Sequence, residues 1–321
     1  MNNPFLKSFD ERVDIGKLRV ARPSNVIFFC GGPRNPDENA EPYSARDFIL
    51  RKLLINRPDI YGRLYYEESM LEWFRDGHYT DLLSFEKHIS EISSIVFLIA
   101  ESPGSFSELG TFANEPSINE KLIVMISNEN DDDTTYLALG PIKYLRENDE
   151  AEVIAYDWAS EFHSGAAPKI NTADLEEIWG NVIESVEEYE RNSSIERQFQ
   201  CDTQGHISLL IIDLLCIFGA LKHNELLNAV SKIVGNFEKA DLQKHLFLLE
   251  KMDLVFSMQR GQKFFLARHN ESHIYYDFLT GTAKEISNRG RLTFLARDWF
   301  KKQDPNRFKV IQRHAVGGEH E

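Results

Sequence analysis

The feature that most limits the fold is a set of short, almost wholly apolar runs in the first half of the chain: "NVIFFCGG" (25–32), "IVFLIAE" (95–101) and "KLIVMIS" (121–127). A strand with one wet face alternates apolar and polar residues. A run without that alternation is built to be covered on both faces, as in a parallel sheet sandwiched between helices. The intervening stretches carry helical spacing, in "SARDFILRKLLINRP" (44–58), stopped by Pro58, and "DLLSFEKHISEISS" (81–94). "YGRLYYEE" (61–68) and "EVIAYDW" (152–158) add strands, and a helix is expected from Ser105. Strands alternating with helices predict an α/β fold with a doubly wound parallel sheet. Ligands of such sheets sit beyond the carboxyl ends of the strands, where Gly31–Gly32 and the pair Glu101 and Glu108 both fall.

At 321 residues the chain has room for two domains, and an apolar content of 42% marks it as globular. Its three cysteines, Cys30, Cys201 and Cys216, show neither a disulfide framework nor CxxC spacing, and its ten histidines show no HExxH, so no metal is invoked. The opening "MNNPFLKSFDERVD" lacks the apolar core of a secretory signal. The longest greasy run, "ISLLIIDLLCIFGAL" from Ile207, is broken by Asp213 and falls short of the ~20 residues a bilayer requires. The expected setting is cytoplasmic, with no membrane partner.

Charge is unevenly divided. Residues 1–200 hold 19 Lys and Arg against 37 Asp and Glu, whereas residues 201–321 hold 17 against 14, a net of +3. An acidic first part repels a phosphate backbone, so nucleic-acid contact is expected from the second. There the order is a long apolar helix (207–221), "HNELLNAVSKIV", "FEKADLQKHLFLLEKMDLV", and a hairpin turning at Arg260-Gly261-Gln262, which resembles a winged helix-turn-helix, a smaller α+β domain. Arg260, Lys263, Arg268, Arg291, Lys301 and Lys302, interleaved with aromatic residues, are the candidate nucleic-acid or partner contacts, against the alternative of an ordinary mixed surface. "TADLEEIWGNVIESVEEYERN" reads as an acidic helix with a solvated face. The expected division is a catalytic domain over 1–160, a helical linker over 161–205 and the partner-binding domain over 206–321.

The turn "ESPGSFSELG" (101–110) admits two readings. Ser105-Phe106-Ser107-Glu108 fits the capping box S-x-x-E, in which the glutamate serves its own backbone. Alternatively, Pro103-Gly104 turns the chain sharply off a strand end and Glu108 stands ionised at a ligand. A carboxylate there could attack an anomeric carbon or shield an oxocarbenium-like transition state. Cys30, Gly31, Gly32, Glu67, Glu101, Ser102, Pro103, Gly104, Ser105 and Asn114 are the candidate substrate-binding residues around it.

"CGG" after the first strand, "LLSFEKHISEISSIVFLIAESPGSFSELGTF" (82–112) and "LGPIKYLREN" (139–148) resemble the nucleoside 2-deoxyribosyltransferase-like, Rossmann-like fold, in the form found in two-domain effectors of retrons of the Ec86 type. The resemblance covers most of residues 25–158. It implies that Glu108 is the nucleophile that opens an N-glycosidic bond and that Glu86, on the preceding helix, faces the same site as a second catalytic carboxylate. It also implies an antiphage toxin that consumes NAD as substrate, requires no cofactor, forms a homo-oligomer and is held inactive by the retron reverse transcriptase and its multicopy single-stranded DNA. One departure is plain. Where deoxyribosyltransferases carry an aspartate six residues before the nucleophile, this chain has Ser102, with Glu101 one position off. Loss of that group suits NAD, whose nicotinamide leaves from a cationic pyridinium without a proton donor. The alternatives are a nucleoside or nucleotide deoxyribosyltransferase or hydrolase, and a nucleotide sensor without turnover.

Overall fold

The computed structural model describes residues 3–21, 24–66, 72–76, 78–131, 134–148, 151–158, 160–161, 169–192, 196–279, 286 and 288–316. Two compact units emerge, and their boundaries differ from those read in the sequence. One comprises residues 25–73 and 89–194, and the other joins residues 1–24 and 74–88 to 195–321.

The first of these units holds the parallel sheet, with β1 (Ile27–Cys30), β2 (Leu64–Tyr66), β3 (Ile95–Ala100), β4 (Leu122–Ser127) and β5 (Glu152–Tyr156) in the spatial order 2-1-3-4-5, every neighbouring pair parallel. The apolar runs are its centre: β1, β3 and β4 are buried at every residue. Successive residues point to opposite faces. Ile27, Phe29, Ile95, Phe97, Ile99, Ile123 and Met125 form one core with residues of α1 (Ala45–Asn56). On the other face Phe28 meets Phe112 edge-on, with ring centroids 6.3 Å apart. Phe112 ends α3 (Pro103–Phe112), and α2 (Leu82–Ile92) leads into β3.

The acidic stretch expected to be a linker with a solvated face is instead part of this unit. The helix α4 (Thr172–Asn192) buries Leu175, Val182, Ile183 and Val186 in the same core as α1. Its glutamates pair with bases of the sheet unit: Glu176 with Lys52 at 2.5 Å, Glu187 with Arg57 at 2.5 Å, and Glu190 with Arg63. Three of its seven acidic residues are paired in this way, while Glu177, Glu184 and Glu188 are exposed and form the solvated face.

The other unit is built around α5 (Gln204–Phe218), which is buried nearly all round and so forms the centre of a core rather than one side of it. The α6 (His223–Val234), α7 (Lys239–Lys251) and antiparallel β6 (Val255–Arg260) and β7 (Gln262–Ala267) follow, with Gly261 in the left-handed region at the turn. The α8 (Arg289–Gln303) and α9 (Pro305–Val316) close the chain. Residues Arg19–Val20 pair with Arg197–Gln198 on one side and Ile274–Tyr275 on the other, which stitches the N-terminal residues to this unit. Asp213, the residue that breaks the apolar run, is fully buried and accepts from His273 N (2.9 Å), Tyr276 Oη (2.7 Å) and Arg289 Nη2 (3.1 Å).

A second buried polar chain runs through this unit. Tyr79 Oη lies 2.7 Å from His88 Nδ1, His88 Nε2 lies 2.8 Å from Ser208 Oγ, and Ser208 Oγ lies 2.7 Å from His245 Nδ1. Burial pushes both imidazoles down, His88 well below its usual value and His245 to about 3. Each is held neutral in the folded state but takes up a proton near pH 6.5 once unfolded. Their stabilisation is therefore complete above pH 6.5 and is lost as pH falls toward the folded values, by about 1.4 kcal/mol per histidine per pH unit. The urea midpoint of this unit should fall between pH 7 and pH 5, and His245→Leu should flatten that slope. A midpoint that holds constant over the window refutes the assignment.

Candidate active site

The strand order 2-1-3-4-5 reverses direction between β1 and β3, and ligands of open α/β sheets enter at that switch point. Two connections meet there. The loop leaving β1 carries Gly31, Gly32 and Arg34 before α1 begins at its N-cap Ser44, and the turn leaving β3 carries Glu101 to Glu108.

Glu101 ties the two together. Its Oε1 accepts from Gly32 N and Arg46 N, both at 3.0 Å, and its Oε2 accepts from Ala45 N at 2.7 Å, while the residue is 1% exposed. A carboxylate thus occupies the glycine loop and the first amides of α1, the place where a doubly wound sheet ordinarily receives a phosphate. Burial pushes the Glu101 carboxyl up, against the pull of the three amides and of Arg46. Both oxygens accept from backbone amides, so this group supplies no proton to a leaving base.

Four of the expected substrate contacts, Cys30, Gly31, Gly32 and Glu101, lie in this closed loop or beside it. Cys30 is fully buried at the end of β1. The glycines serve close approach: a Cβ on Gly32 would stand 2.6 Å from the Ser44 Cβ, and one on Gly31 would stand 3.0 Å from the Arg46 Cβ. Arg46, buried itself, donates from Nε to Gly32 O at 2.6 Å.

The cap of α3 also differs from expectation. The helix starts at Pro103, not Ser105, and Ser102 is its N-cap. Ser102 Oγ accepts from Ser105 N at 3.2 Å, and Ser105 Oγ accepts from Ser102 N at 2.9 Å and from Glu101 N at 3.0 Å. The reciprocal box is therefore Ser102 with Ser105, and Glu108 has no part in it. Glu108 is the sixth residue of the helix, half-buried, beyond the first turn to which the helix dipole's influence is largely confined. Ser102 and Ser105 are buried builders of the turn, and Pro103 and Gly104 are exposed.

Gly104 lies one turn before Glu108, on the same face. A helical side chain reaches back over the preceding turn, so position 104 places no side chain over the Glu108 carboxylate. A Cβ at Gly104 would meet nothing closer than Ser102 Oγ at 3.8 Å. Asn114, another expected contact, sits elsewhere. It lies past the far end of α3, exposed, and donates from Nδ2 to Gly110 O at 2.8 Å, closing the helix that the site opens. A groove of about 410 Å³ lined by Phe106, Gly110, Asn130, Tyr136 and Pro141 runs along α3. Residues 106 and 110 each stand about 160° around the helix from 108, so the groove is a different surface from the one Glu108 presents. Glu86 is buried, in the part of α2 that belongs to the other unit, and Glu67 lies outside the described residues.

Residues 42–257, two-thirds of the chain including the turn after β3, match the STM3845 retron effector protein family. The chain belongs to that family. The effector is similar to the "Retron Ec73 putative ribosyltransferase/DNA-binding protein" of Escherichia coli, at 24% identity over 314 residues covering 93% of this chain and 92% of that one. It is also similar to the "Retron Ec86 putative ribosyltransferase/DNA-binding protein" of Escherichia coli, at 24% identity over 183 residues, 57% of each chain.

Among the effector's expected partner residues, Arg268 is paired with Asp253 and Lys302 with Asp298 at 2.6 Å. Lys263, at the hairpin, lies 4.8 Å over the Phe265 ring, and Arg291 lies 5.7 Å over the exposed Phe294. Arg260 ends β6 at the turn and Lys301 is exposed on α8. The outward face of α7 is not open. Asp76 pairs with Lys251 at 3.1 Å, His78 stacks on Phe247 at 4.2 Å, and Lys244 lies 5.0 Å over the Tyr79 ring.

Arg34, which is not among the candidates read from the sequence, donates from Nη2 to Glu38 Oε1 at 2.7 Å, and its Nη1 lies 3.4 Å from Tyr66 Oη. It is the first cation after the glycine pair. Among the described residues no group of three or more His, Cys, Asp or Glu is placed to hold a metal ion, and no helix is long and apolar enough to cross a membrane.

Proposed function

We propose that the effector is an N-glycosidase that hydrolyses NAD to nicotinamide and ADP-ribose, the toxic arm of an antiphage retron. The observation that carries the reading is Glu108 in the second turn of α3, the helix that follows β3 at the switch point and whose cap is completed without it. In the reaction the bond from the ribose anomeric carbon to the pyridinium nitrogen breaks. Its electron pair stays on that nitrogen and nicotinamide leaves neutral. Glu108 either attacks the anomeric carbon, forming an ester whose C–O bond breaks when water adds, or stabilises the carbon's positive charge while water adds. In both cases the water loses a proton and Glu108 ends as a free carboxylate. No acid is needed for the departure, which agrees with Glu101 being bonded to amides. The names of the relatives, which join ribosyl transfer to DNA binding, support the same reading.

The test is incubation of the purified effector with NAD, with deoxynucleosides and with nucleoside monophosphates, and chromatography of the products. Nicotinamide release from NAD is expected. Base release from the others alone moves the assignment to a nucleoside or nucleotide hydrolase, and tight binding without any product makes the unit a sensor.

The partners this reading assigns are the retron reverse transcriptase and its single-stranded DNA, which hold the enzyme inactive. In the reading of the second unit as a winged helix, α7 would enter the groove of a duplex. Residues 76, 78 and 79 lie against that face, which favours contact through the hairpin and α8 instead. Affinity for the single-stranded DNA should drop at least tenfold between 50 and 200 mM salt, and Arg260→Glu with Lys263→Glu should flatten that dependence. An affinity indifferent to salt removes this surface from the reading.

A further inference from the structure

We propose that Arg34 binds a phosphate of the substrate, which makes the substrate a nucleotide rather than a nucleoside. The inference rests on the glycosidase reading and deepens it. Its first support is an occupied position. The Gly32 amide and the first two amides of α1, which would otherwise cradle a phosphate, are held by the buried Glu101 carboxylate. An internal anion fills the usual place, so an incoming phosphate must find its counter-charge elsewhere at this edge of the sheet.

Arg34 supplies it. Two residues past Gly32, its guanidinium lies 3.4 Å from the hydroxyl of Tyr66, the last residue of β2, and 5.8 Å over that ring. The cation therefore lies at the end of β2, on the α1 side of the sheet, while α3 with Glu108 leaves the same carboxyl edge from β3. Gly32 is hydrogen-bonded to Glu101 at the start of the α3 turn; from there Arg34 lies at most ~7 Å of loop away, and Glu108 about 8 Å of helix rise beyond Pro103.

The loop that carries Arg34 is rigidly held. Asp47, fully buried, accepts from Asn35 N at 2.8 Å and Tyr43 N at 3.0 Å, and Arg51 donates to Glu38 O at 3.0 Å and Ala40 O at 2.5 Å. The positional entropy of the binding group is thus lost on folding, not on ligand entry. The Arg34 side chain is only 22% exposed, whereas its carboxylate partner Glu38 is 67% exposed. With the Glu38 backbone clamped and its carboxylate in solvent, that carboxylate is the anion a phosphate displaces. A guanidinium binds phosphate in a two-pronged geometry that an ammonium does not reproduce.

The experiment compares NAD with nicotinamide riboside, which presents the same glycosidic bond and carries no phosphate. In Arg34→Ala the KM for NAD should rise at least tenfold with kcat within about threefold, while both constants for the riboside stay as in the unaltered effector. Arg34→Lys should recover only part of the loss, and Glu38→Gln should lower the KM for NAD. Unchanged constants for NAD, or equal losses for NAD and the riboside, overturn the proposal, the second because it marks a structural defect. If the unaltered effector cleaves neither compound, the glycosidase reading fails by itself. Calorimetry with AMP and adenosine then decides Arg34: selective weakening of AMP in Arg34→Ala sustains it, and equal affinities for AMP in the two proteins overturn it.

Discussion

Glu108→Gln is expected to lower nicotinamide release from NAD at least about a thousandfold while leaving the melting temperature within about 2 °C of the unaltered effector. A thousandfold corresponds to about 4 kcal/mol of transition-state stabilisation, the scale of a charge placed against a developing carbocation. Glutamine keeps the size of the side chain and can neither attack the anomeric carbon nor neutralise it. The fold should tolerate the change because the α3 cap is Ser102 with Ser105, and Glu108 stands half-buried in the second turn. If Glu108 were the capping glutamate that S-x-x-E spacing invites, Glu108→Gln would keep both cap and chemistry, and only Glu108→Ala would cost stability, about 1 kcal/mol. Turnover and melting measured on one sample separate these outcomes. Equal nicotinamide release by both proteins removes Glu108 from the mechanism.

Much of the sheet was legible, because an uninterrupted apolar run has few other uses than a strand covered on both faces; β1, β3 and β4 fall within the runs read as strands. The site was legible at the level of the turn and misread within it. Ser-Pro is itself a start signal, with the serine as cap and the proline in the first helical position, and it outranks the S-x-x-E spacing two residues on. The direction of Glu101 was also available. Ile95, Phe97 and Ile99 point to the α1 side, so a period of two carries residue 101 to the same side, toward the first turn of α1. What no local pattern could reveal is the partition of the chain. Residues 19–20 are a two-residue strand whose partners lie far along the sequence, at 197–198 and 274–275. His88 and Ser208 meet across 120 positions. Such pairings are set by tertiary packing and leave no trace in composition.

Glu101→Ala should destabilise the sheet unit by roughly 3–6 kcal/mol, a loss large enough to leave much of the protein unfolded at 37 °C. The carboxylate is the acceptor for Gly32 N, Ala45 N and Arg46 N, all in a place 1% exposed at the residue that joins them. Each amide left buried without an acceptor costs about 1–3 kcal/mol. Water could repair part of that only by opening the loop, and the 2.6 Å spacing between a Gly32 Cβ position and Ser44 shows how tightly it is closed. Glu101→Gln is the graded test. Its single carbonyl oxygen can keep Gly32 N and Arg46 N, but its amide group then faces Ala45 N–H donor to donor, so one partner is lost in place of three. The Gln variant should therefore fall between the unaltered protein and the Ala variant in urea midpoint. Activity should follow the folded fraction in both, because Glu101 holds the loop and takes no part in the reaction. An alanine variant that melts normally yet fails to release nicotinamide would place the Glu101 carboxylate against the substrate and reverse the roles given to the two glutamates of this turn.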